Sequence, residues 1–278
     1  MNKKSNEGGK SMKVNGKTIV VTGGGSGMGR ELVLGLLRRG AQVATLDINE
    51  ENLLETARLA ADYKEKLSTY VVDITSREAI ESLVDLVKEK HGAIDGIINN
   101  AGVIQPFVDV NELPYEKIEQ VMNINFYGTL YMVKSFLPEL LKRPEAHILN
   151  IASMGGFLPV PGQSIYGASK AAVKLMTEGL HSELMDTNVG VTIAFPGAIK
   201  TNIMQNSQVE RASSSDTSGK EYKLTTAADA AKMMIDAIEE NAYRVMVGND
   251  AKMMDRLYRL APKKAASIIA DKLKDAGK

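Results

Sequence analysis

The sequence contains no cysteine, which excludes disulfide bonds, thiolate catalysis and cysteine-ligated metals. This absence also fits a cytoplasmic location, because disulfides form in oxidising compartments. Histidine is scarce as well. His91, His147 and His181 are widely spaced in the chain, so we expect no metal site built on histidine.

A charge excess of either sign is also missing. Lys and Arg together number 34, as do Asp and Glu, so the formal net charge is zero and nucleic acid is not an expected partner. No apolar run approaches the roughly 20 residues that span a membrane. Residues 1–13 are polar and lack the apolar core of a signal peptide. We therefore expect a disordered leader over 1–13 and no membrane partner.

The chain has 278 residues, enough for one large domain with a buried core but short for two. Apolar, β-branched segments alternate with segments of helical periodicity. This alternation predicts an α/β fold, a single Rossmann-like domain over 14–250 with a doubly wound parallel sheet of about seven strands. The clearest helices are predicted over 30–39, 77–90, 166–185 and 227–240. The predicted strands cover 17–22, 42–46, 69–73, 94–99, 146–152, 189–195 and 244–247.

Two segments depart from this alternation. The segment 202–224 is polar, which is typical of a mobile loop and, in an α/β enzyme, of a lid over the site. The segment 251–278 carries basic and apolar side chains and predicts a helical extension of the same domain, in which Pro262 can start a second helix. Three destinations remain open for its apolar side chains: the chain's own domain, a partner subunit or a membrane surface.

A glycine-rich loop joins the first predicted strand to the first helix. Glycine permits a tight turn and lets the backbone approach a pyrophosphate, while the helix N-terminus offers amides and a partial positive charge. A plain flexible turn is the alternative, but the position between a strand and a helix favours a dinucleotide site. The candidate cofactor residues in this loop are Gly23, Ser26, Gly27, Met28 and Gly29.

Asp47 ends the second predicted strand, 18 residues after Gly29. In dinucleotide-binding folds an acidic residue about 20 residues beyond the glycine loop hydrogen-bonds the adenosine ribose, and its charge repels a 2′-phosphate. Neither Ser26 nor Ile48 supplies a cation for that phosphate. The pattern therefore favours NAD as the cofactor over NADP. The alternative for Asp47 is a turn residue before the next helix.

Two more groups of residues follow predicted strands, one at the third strand and one at the fourth. Ligands of open α/β sheets bind outside the carboxyl ends of the strands, so these residues are candidates for cofactor contact. Each could instead serve as a helix cap or a turn. The candidates are Asp73, Ile74, Asn100, Ala101 and Gly102.

Tyr166 and Lys170 are four residues apart at the start of an amphipathic segment, which puts both on one face of a helix. A phenol has a pKa near 10, and bringing it to about 7 takes roughly 4 kcal/mol of phenolate stabilisation. A positive charge about 4 Å away, at an effective dielectric near 20, supplies roughly that amount. The pair predicts a tyrosine acid/base assisted by lysine, although an isolated pair of this kind is more often without function.

Ser153 follows the fifth predicted strand, at the same edge of the sheet. A hydroxyl there can orient a substrate oxygen and stabilise the negative charge that develops on it. The loop between Ser153 and Tyr166 is mostly apolar and would form one wall of a substrate pocket. The candidate pocket residues are Ser153, Phe157, Val160, Gln163 and Met204.

The order of these motifs resembles that of the short-chain dehydrogenase/reductases in their single-domain form. The resemblance covers about 14–248, most of the chain. It rests on the glycine loop, Asp73, the Asn-Asn-Ala-Gly run at 99–102, Asn125, Ser153, Tyr166, Lys170, the Pro-Gly pair at 196–197 and Thr201.

This resemblance implies roles for individual residues. Tyr166 is the general acid/base, and Lys170 binds the nicotinamide ribose and lowers the pKa of the tyrosine. Ser153 polarises the substrate, and Asn125 holds a water in a proton relay to Lys170. Further cofactor contacts are implied for Pro196, Gly197, Ile199 and Thr201.

The resemblance also implies the activity: an NAD-dependent oxidoreductase that interconverts a secondary alcohol and a ketone by hydride transfer. The expected substrate is small and mainly apolar, and the expected assembly is a homodimer or homotetramer. One alternative is a catalytically silent NAD-binding sensor or scaffold protein, which the presence of all the catalytic candidates disfavours. Another is an enzyme whose basic tail docks on a membrane surface.

Overall fold

The computed structural model of the chain describes residues 11–200, 203–207, 209 and 224–275. Two short strands, β7 and β8, form a separate parallel pair. The other seven form one sheet, whose neighbouring strands are all parallel. The strands are β1 Thr18–Thr22, β2 Gln42–Asp47, β3 Leu67–Val71, β4 Gly96–Asn99, β5 Ala146–Ile151, β6 Val189–Pro196, β7 Ile199–Lys200, β8 Thr225–Thr226 and β9 Arg244–Val247.

Helices connect these strands and cover both faces of the sheet. They are α1 Gly27–Arg38, α2 Glu50–Leu59, α3 Arg77–His91, α4 Tyr115–Met122, α5 Thr129–Leu140, α6 Ser164–Glu183, α7 Ile203–Asn206, α8 Ala227–Glu239, α9 Asn249–Leu260 and α10 Pro262–Asp275. A π-helical stretch, Asn123–Gly128, joins α4 to α5. This architecture confirms the predicted Rossmann-like fold.

The core lies in two layers because successive side chains of a strand point to opposite faces. In β1, Ile19 and Val21 pack with α1 and α8, while Val20 packs on the other face with α3 and α5. All five residues of β1 are buried. A strand that is buried on both faces has a nearly continuous apolar sequence. This feature of the sequence predicted β1.

The strand order reverses at β1, which fixes where a ligand can bind. The sheet runs β3-β2-β1-β4-β5-β6-β9, so the chain moves outward from β1 to β3 and then crosses back to β4. The connections after β1 and β4 therefore leave on opposite sides and open a crevice at the carboxyl ends of the two strands.

Strand β3 begins two residues earlier than the predicted 69–73. Leu67 pairs with Val43, and the ladder ends where Val71 meets Asp47. The β-branched residues around Val72 led to the later predicted boundaries. Because β3 is an edge strand, its start is instead set by its pairing with β2.

The N-terminal boundary differs from the expected leader over 1–13. Residues 1–10 lie outside the described residues. Met12 is buried in the core layer beside α1 and α8, and the Ser11 hydroxyl donates a hydrogen bond to the Glu239 carbonyl. The prediction of a disordered leader is therefore wrong for residues 11–13. The physical reason is that Met12, an apolar side chain in an otherwise polar segment, packs against α8.

The C-terminal segment forms the two helices that Pro262 was expected to separate. Met254 in α9 and Ala265 in α10 are buried with Leu158, while Met253 and Leu260 remain exposed. The extension therefore packs on its own domain, over the loop that follows β5. Across the described ranges, no helix combines the length and apolarity that crossing a membrane requires. Of the predicted lid over 202–224, only 203–207, 209 and 224 are described.

Candidate active site

The loop between β1 and α1 depends on glycine at two positions. Gly23 has a φ of +68°, a left-handed conformation that favours glycine, and its amide donates to the Leu46 carbonyl at 2.8 Å. A Cβ on Gly29 would lie 1.9 Å from the Gly23 carbonyl oxygen, so only glycine lets the first turn of α1 approach the loop. The close approach directs the N-terminus of α1 toward the crevice.

The crevice has a volume of about 290 Å³. Its lining includes all of the cofactor candidates from the first four strand ends: Gly23, Ser26, Gly27, Met28, Gly29, Asp47, Asp73, Ile74, Asn100, Ala101 and Gly102. It also includes residues that sequence reasoning missed, although most of them neighbour the predicted ones: Leu46, Ile48, Asn49, Asn52, Val72, Val103, Ile124 and Ile203.

The Asp47 carboxylate is held at the far end of this crevice by backbone amides. Its Oδ2 accepts from the Gly25 amide at 3.0 Å, and its Oδ1 accepts from the Asn49 amide at 3.0 Å. The contact with the Asn49 amide is typical of a turn residue before a helix, which was the alternative role for Asp47. The contact with the Gly25 amide also joins Asp47 to the glycine loop, so the side chain does more than stabilise a turn.

Thr22 and Asn100 join the ends of β1 and β4. The Thr22 hydroxyl accepts from the amides of Asn100 and Ala101, both at 2.9 Å, and Asn100 Nδ2 donates to the Thr22 carbonyl at 3.0 Å. Asp73 has a local partner, since its Oδ1 accepts from the Thr75 amide at 2.8 Å. The candidates Asn100 and Asp73 both line the crevice, and their side chains also hydrogen-bond the backbone that forms its walls.

Tyr166 and Ser153 come together as the spacing predicted. Ser153 follows β5, Tyr166 lies in the first turn of α6, and both side chains lie beside Gly155, where an added Cβ would be 3.4 Å from Tyr166 Cε1 and 3.5 Å from Ser153 Oγ. Burial raises the pKa of Tyr166, while the nearby Ser153 hydroxyl acts in the opposite direction. In the chain without cofactor, desolvation is the larger of these effects. The lowering of this pKa that the resemblance implies for Lys170 stays a prediction for the cofactor-bound enzyme.

Lys170 lies one turn after Tyr166 and is almost fully buried. Its Nζ donates to the Ile151 carbonyl at 3.1 Å, and burial lowers its pKa to about 8. A Cβ on Gly102 would lie 3.1 Å from this Nζ and 3.1 Å from Asn125 Oδ1. Gly102 therefore brings the end of the crevice against Lys170, and a larger side chain would separate the two.

Asn125 lies in the π-helical stretch, and its side chain is engaged by protein groups. Its Oδ1 accepts from the Val103 amide and its Nδ2 donates to the Val103 carbonyl, both at 2.9 Å. The same Nδ2 donates to the Ser169 hydroxyl at 3.0 Å. The Asn125 side chain therefore holds the segment after β4, and the water relay that the resemblance implies for this residue stays a prediction.

The predicted substrate-pocket residues do not share one site with Ser153. The Phe157 ring packs between Phe195 and Tyr258, with centroids 5.6 and 6.0 Å away, so it belongs to the core. Phe157, Val160 and Gln163 line a cavity of about 1060 Å³ between this loop, α6, α9 and α10. Neither Ser153 nor Tyr166 lines that cavity. Phe157, Val160 and Gln163 therefore face a different cavity from the predicted catalytic pocket. Met204 lies in α7 and lines neither of the two cavities.

The loop after β6 is held by the end of β9 and the first turn of α9. The Gly197 amide donates to the Val247 carbonyl at 3.0 Å, and the Ala198 amide donates to Asp250 Oδ2 at 2.7 Å. A Cβ on Gly197 would lie 2.3 Å from both carboxylate oxygens of Asp250, so this approach requires glycine. Of the remaining cofactor candidates, Pro196, Gly197 and Ile199 do not line the crevice, and Thr201 lies outside the described residues.

The chain belongs to the short-chain dehydrogenase family, whose model matches residues 17–212. A Mycobacterium tuberculosis protein that carries the name oxidoreductase SadH is 33% identical over 261 residues, covering 92% of this chain and 94% of the relative. A Staphylococcus saprophyticus protein, named as an uncharacterised oxidoreductase, is 38% identical over 186 residues, covering 66% of this chain and 79% of the relative.

Solved structures agree with this assignment. A short-chain dehydrogenase/reductase from Burkholderia phymatum in complex with NAD superposes with a TM-score of 0.80 at 26% identity, covering 89% of this chain and 94% of that one. A short-chain dehydrogenase from Burkholderia cenocepacia in complex with NADP has a TM-score of 0.77 at 26% identity, covering 93% and 99%. The protein is thus an oxidoreductase of a family that uses a nicotinamide cofactor.

Proposed function

We propose that the protein is an NAD-dependent dehydrogenase/reductase that interconverts a secondary alcohol and a ketone. The observation that carries this proposal is the placement of Ser153 beside Tyr166, with buried Lys170 one helical turn after Tyr166 and the nucleotide crevice adjacent. A substrate oxygen that meets both hydroxyls finds a proton donor and a second hydrogen-bond donor in one place.

The nicotinamide, when bound, accepts or donates the hydride, and the residues of the chain manage the proton. Tyr166 gives a proton to the substrate oxygen in reduction and takes it back in oxidation. Its raised pKa keeps the hydroxyl protonated near neutral pH, which suits the donor role. Ser153 donates to the same oxygen and stabilises its developing negative charge, and the Lys170 ammonium stabilises the phenolate that Tyr166 becomes.

The crevice fits a nicotinamide dinucleotide, and one of its two main features favours NAD over NADP. The N-terminus of α1 lies behind a loop that only glycine can form, which suits a pyrophosphate. Asp47 places a negative charge at the far end, where it would hydrogen-bond ribose hydroxyls and repel a 2′-phosphate. Asp47, Asn100, Ala101, Gly102 and Lys170 would hold the dinucleotide along this crevice.

The proposal extends to the substrate, the assembly and the location of the protein. The substrate is a small, mainly apolar alcohol or ketone, the assembly is a homodimer or homotetramer, and the location is the cytoplasm. The balanced charge of the chain supports a small substrate over a polyanion, and the absence of cysteine fits a cytoplasmic location.

The test is a panel of secondary alcohols and ketones, followed by NADH absorbance in both directions, with wild type beside Tyr166→Phe. We expect turnover of at least one panel member by wild type only, and a higher kcat/KM with NAD than with NADP. An NADH-binding protein that turns over no member of a broad panel would instead fit a sensor or scaffold that has lost its chemistry.

A further inference from the structure

Gln105 lies on the segment that follows β4, and its side chain is fully buried. Its Oε1 accepts from the backbone amides of Ile165 and Tyr166, both at 2.9 Å. Its Nε2 donates to the Gly162 carbonyl at 3.0 Å. One side chain thus holds both the first turn of α6 and the loop that leads into it.

These contacts replace the usual cap of a helix. The first amides of an α-helix have no partner within the helix, and a side chain at the N-cap position normally accepts from them. In α6 the N-cap residue is Gln163, and its side chain makes no capping bond. Gln163 Nε2 instead donates to the Gln105 carbonyl at 2.8 Å, so the cap of α6 comes from about 60 residues earlier in the chain.

The position of Gln105 is itself fixed by its neighbours. The Asn125 side chain holds both the amide and the carbonyl of Val103, at 2.9 Å each. The Ile104 amide donates to the Ser207 hydroxyl at 3.0 Å. Three successive residues, 103 to 105, are therefore tied to the π-helical stretch, to the segment after α7 and to α6.

We propose that Gln105 is a positioning residue for Tyr166. By accepting from the Tyr166 amide and from the amide before it, Gln105 sets the direction of the first turn of α6 and so holds the phenol against Ser153. Small displacements of a reacting group reduce turnover strongly, because the gain from orientation is lost. The catalytic part of this inference rests on the proposed function, whereas the capping part does not.

The test compares Gln105→Met, which keeps the length of the side chain and removes both polar ends, with Gln105→Glu, which keeps two acceptor oxygens. Gln120→Met is the matched control, because Gln120 is exposed on α4 and contacts Lys117. Three quantities are measured for each variant: kcat on the best substrate of the panel, the Kd of NADH, and amide exchange of peptides covering 163–168.

For Gln105→Met we expect kcat to fall about 10- to 100-fold, the scale of a misplaced catalytic group. The Kd of NADH should stay within about threefold, because the crevice around β1 and β2 does not contact Gln105. Amide exchange at 163–168 should speed up. Gln105→Glu should recover part of the lost kcat by accepting again from the two amides, and Gln120→Met should match wild type.

Three outcomes would overturn the proposal: kcat of Gln105→Met within about threefold of wild type, a parallel loss of kcat and NADH affinity, or unchanged exchange at 163–168. The first two concern Tyr166 and the third concerns the cap alone. If the wild type turns over no substrate, the proposed function fails while the exchange experiment still reports on the cap.

Discussion

Asp47 accepts a hydrogen bond from the backbone amide of Gly25, with 3.0 Å between Oδ2 and the nitrogen. A Cβ on Gly25 would lie 2.8 Å from the same oxygen, so the glycine loop and the carboxylate are in direct contact. This contact fixes a negative charge at one end of the crevice rather than leaving it on a free side chain. The position of that charge leads to a prediction about cofactor choice.

Replacing Asp47 by Ser and Ile48 by Arg should reduce or reverse the preference for NAD. The change removes the repulsion of a 2′-phosphate and adds a cation beside it, and a hydrogen bond to a charged group contributes about 1.5–3 kcal/mol. The ratio of kcat/KM for NAD to that for NADP should therefore fall by about 10- to 100-fold. Asp62→Ser, at an exposed position beyond α2, is the control. A wild type that works better with NADP would show that Asp47 does not face the ribose.

Tyr166→Phe should reduce kcat by at least the roughly 10²- to 10⁴-fold typical of general acid/base catalysis. The variant loses the proton donor, while the crevice is unchanged, because Tyr166 is not among the residues that line it. NADH affinity, followed by fluorescence titration, should stay within about threefold of wild type. Tyr127→Phe tests the loss of a phenol at an exposed position and should behave like wild type. Near-normal turnover by Tyr166→Phe would remove tyrosine from the mechanism.

Lys170 should lower the stability of the folded protein near neutral pH. Burial lowers its pKa to about 8 from 10.5, so between these values the unfolded chain binds more protons than the folded one. Folding stability therefore rises with pH across that window, and the destabilising effect is fully present below it. Each unit of pKa corresponds to about 1.4 kcal/mol, which makes the effect roughly 3 to 4 kcal/mol.

Lys170→Met should therefore gain stability over wild type near pH 7, and the gain should shrink as the pH approaches about 9.5. Chemical denaturation at several pH values measures this difference. Lys174→Met is the control on the same helix, because the Lys174 side chain is partly exposed and paired with Glu178. A gain that does not change with pH would show that removing the ammonium is not its cause.

Asp250→Ala should weaken NADH binding and lower the melting temperature. The Ala198 amide loses its acceptor, a change worth about 1 kcal/mol, or roughly 2–4 °C in a domain of this size. The loop after β6 is then less well placed, and the family resemblance implies that this loop contacts the cofactor. The Kd of NADH, measured by fluorescence, should therefore rise severalfold. Asp271→Ala, on the exposed face of α10, should change neither quantity. Unchanged affinity would mean that the loop keeps its place without Asp250.

Local motifs carried most of the information about the nucleotide crevice. Gly23, Gly29 and Asp47 could be predicted because a strand, a turn and a helix follow one another closely in the chain. The pairing of Ser153 with Tyr166 could also be predicted, since both sit at one edge of a parallel sheet. In each case the residues that decide the geometry are near in sequence or lie at corresponding strand ends.

Contacts between distant segments could not be predicted in this way. Phe157 was assigned to a substrate pocket because its loop is apolar, but the direction of its ring is decided by Phe195 and Tyr258. Nothing in the sequence indicates the role of Gln105, because a glutamine between two apolar segments does not show that it caps a helix about 60 residues later. The burial of Met12 depended in the same way on α8.

The contact between Asp250 and the Ala198 amide also determines where chimeras of this protein can be joined. Because α9 begins at Asn249, a crossover at the end of β9 would bring in a foreign tail together with a foreign residue at position 250. The loop after β6 would then come from one parent protein, and the residue at position 250 that holds it would come from the other. Junctions placed after Asp250 keep the two together, so libraries that shuffle C-terminal extensions among relatives should retain more active members when the recombination point lies within the first turn of α9.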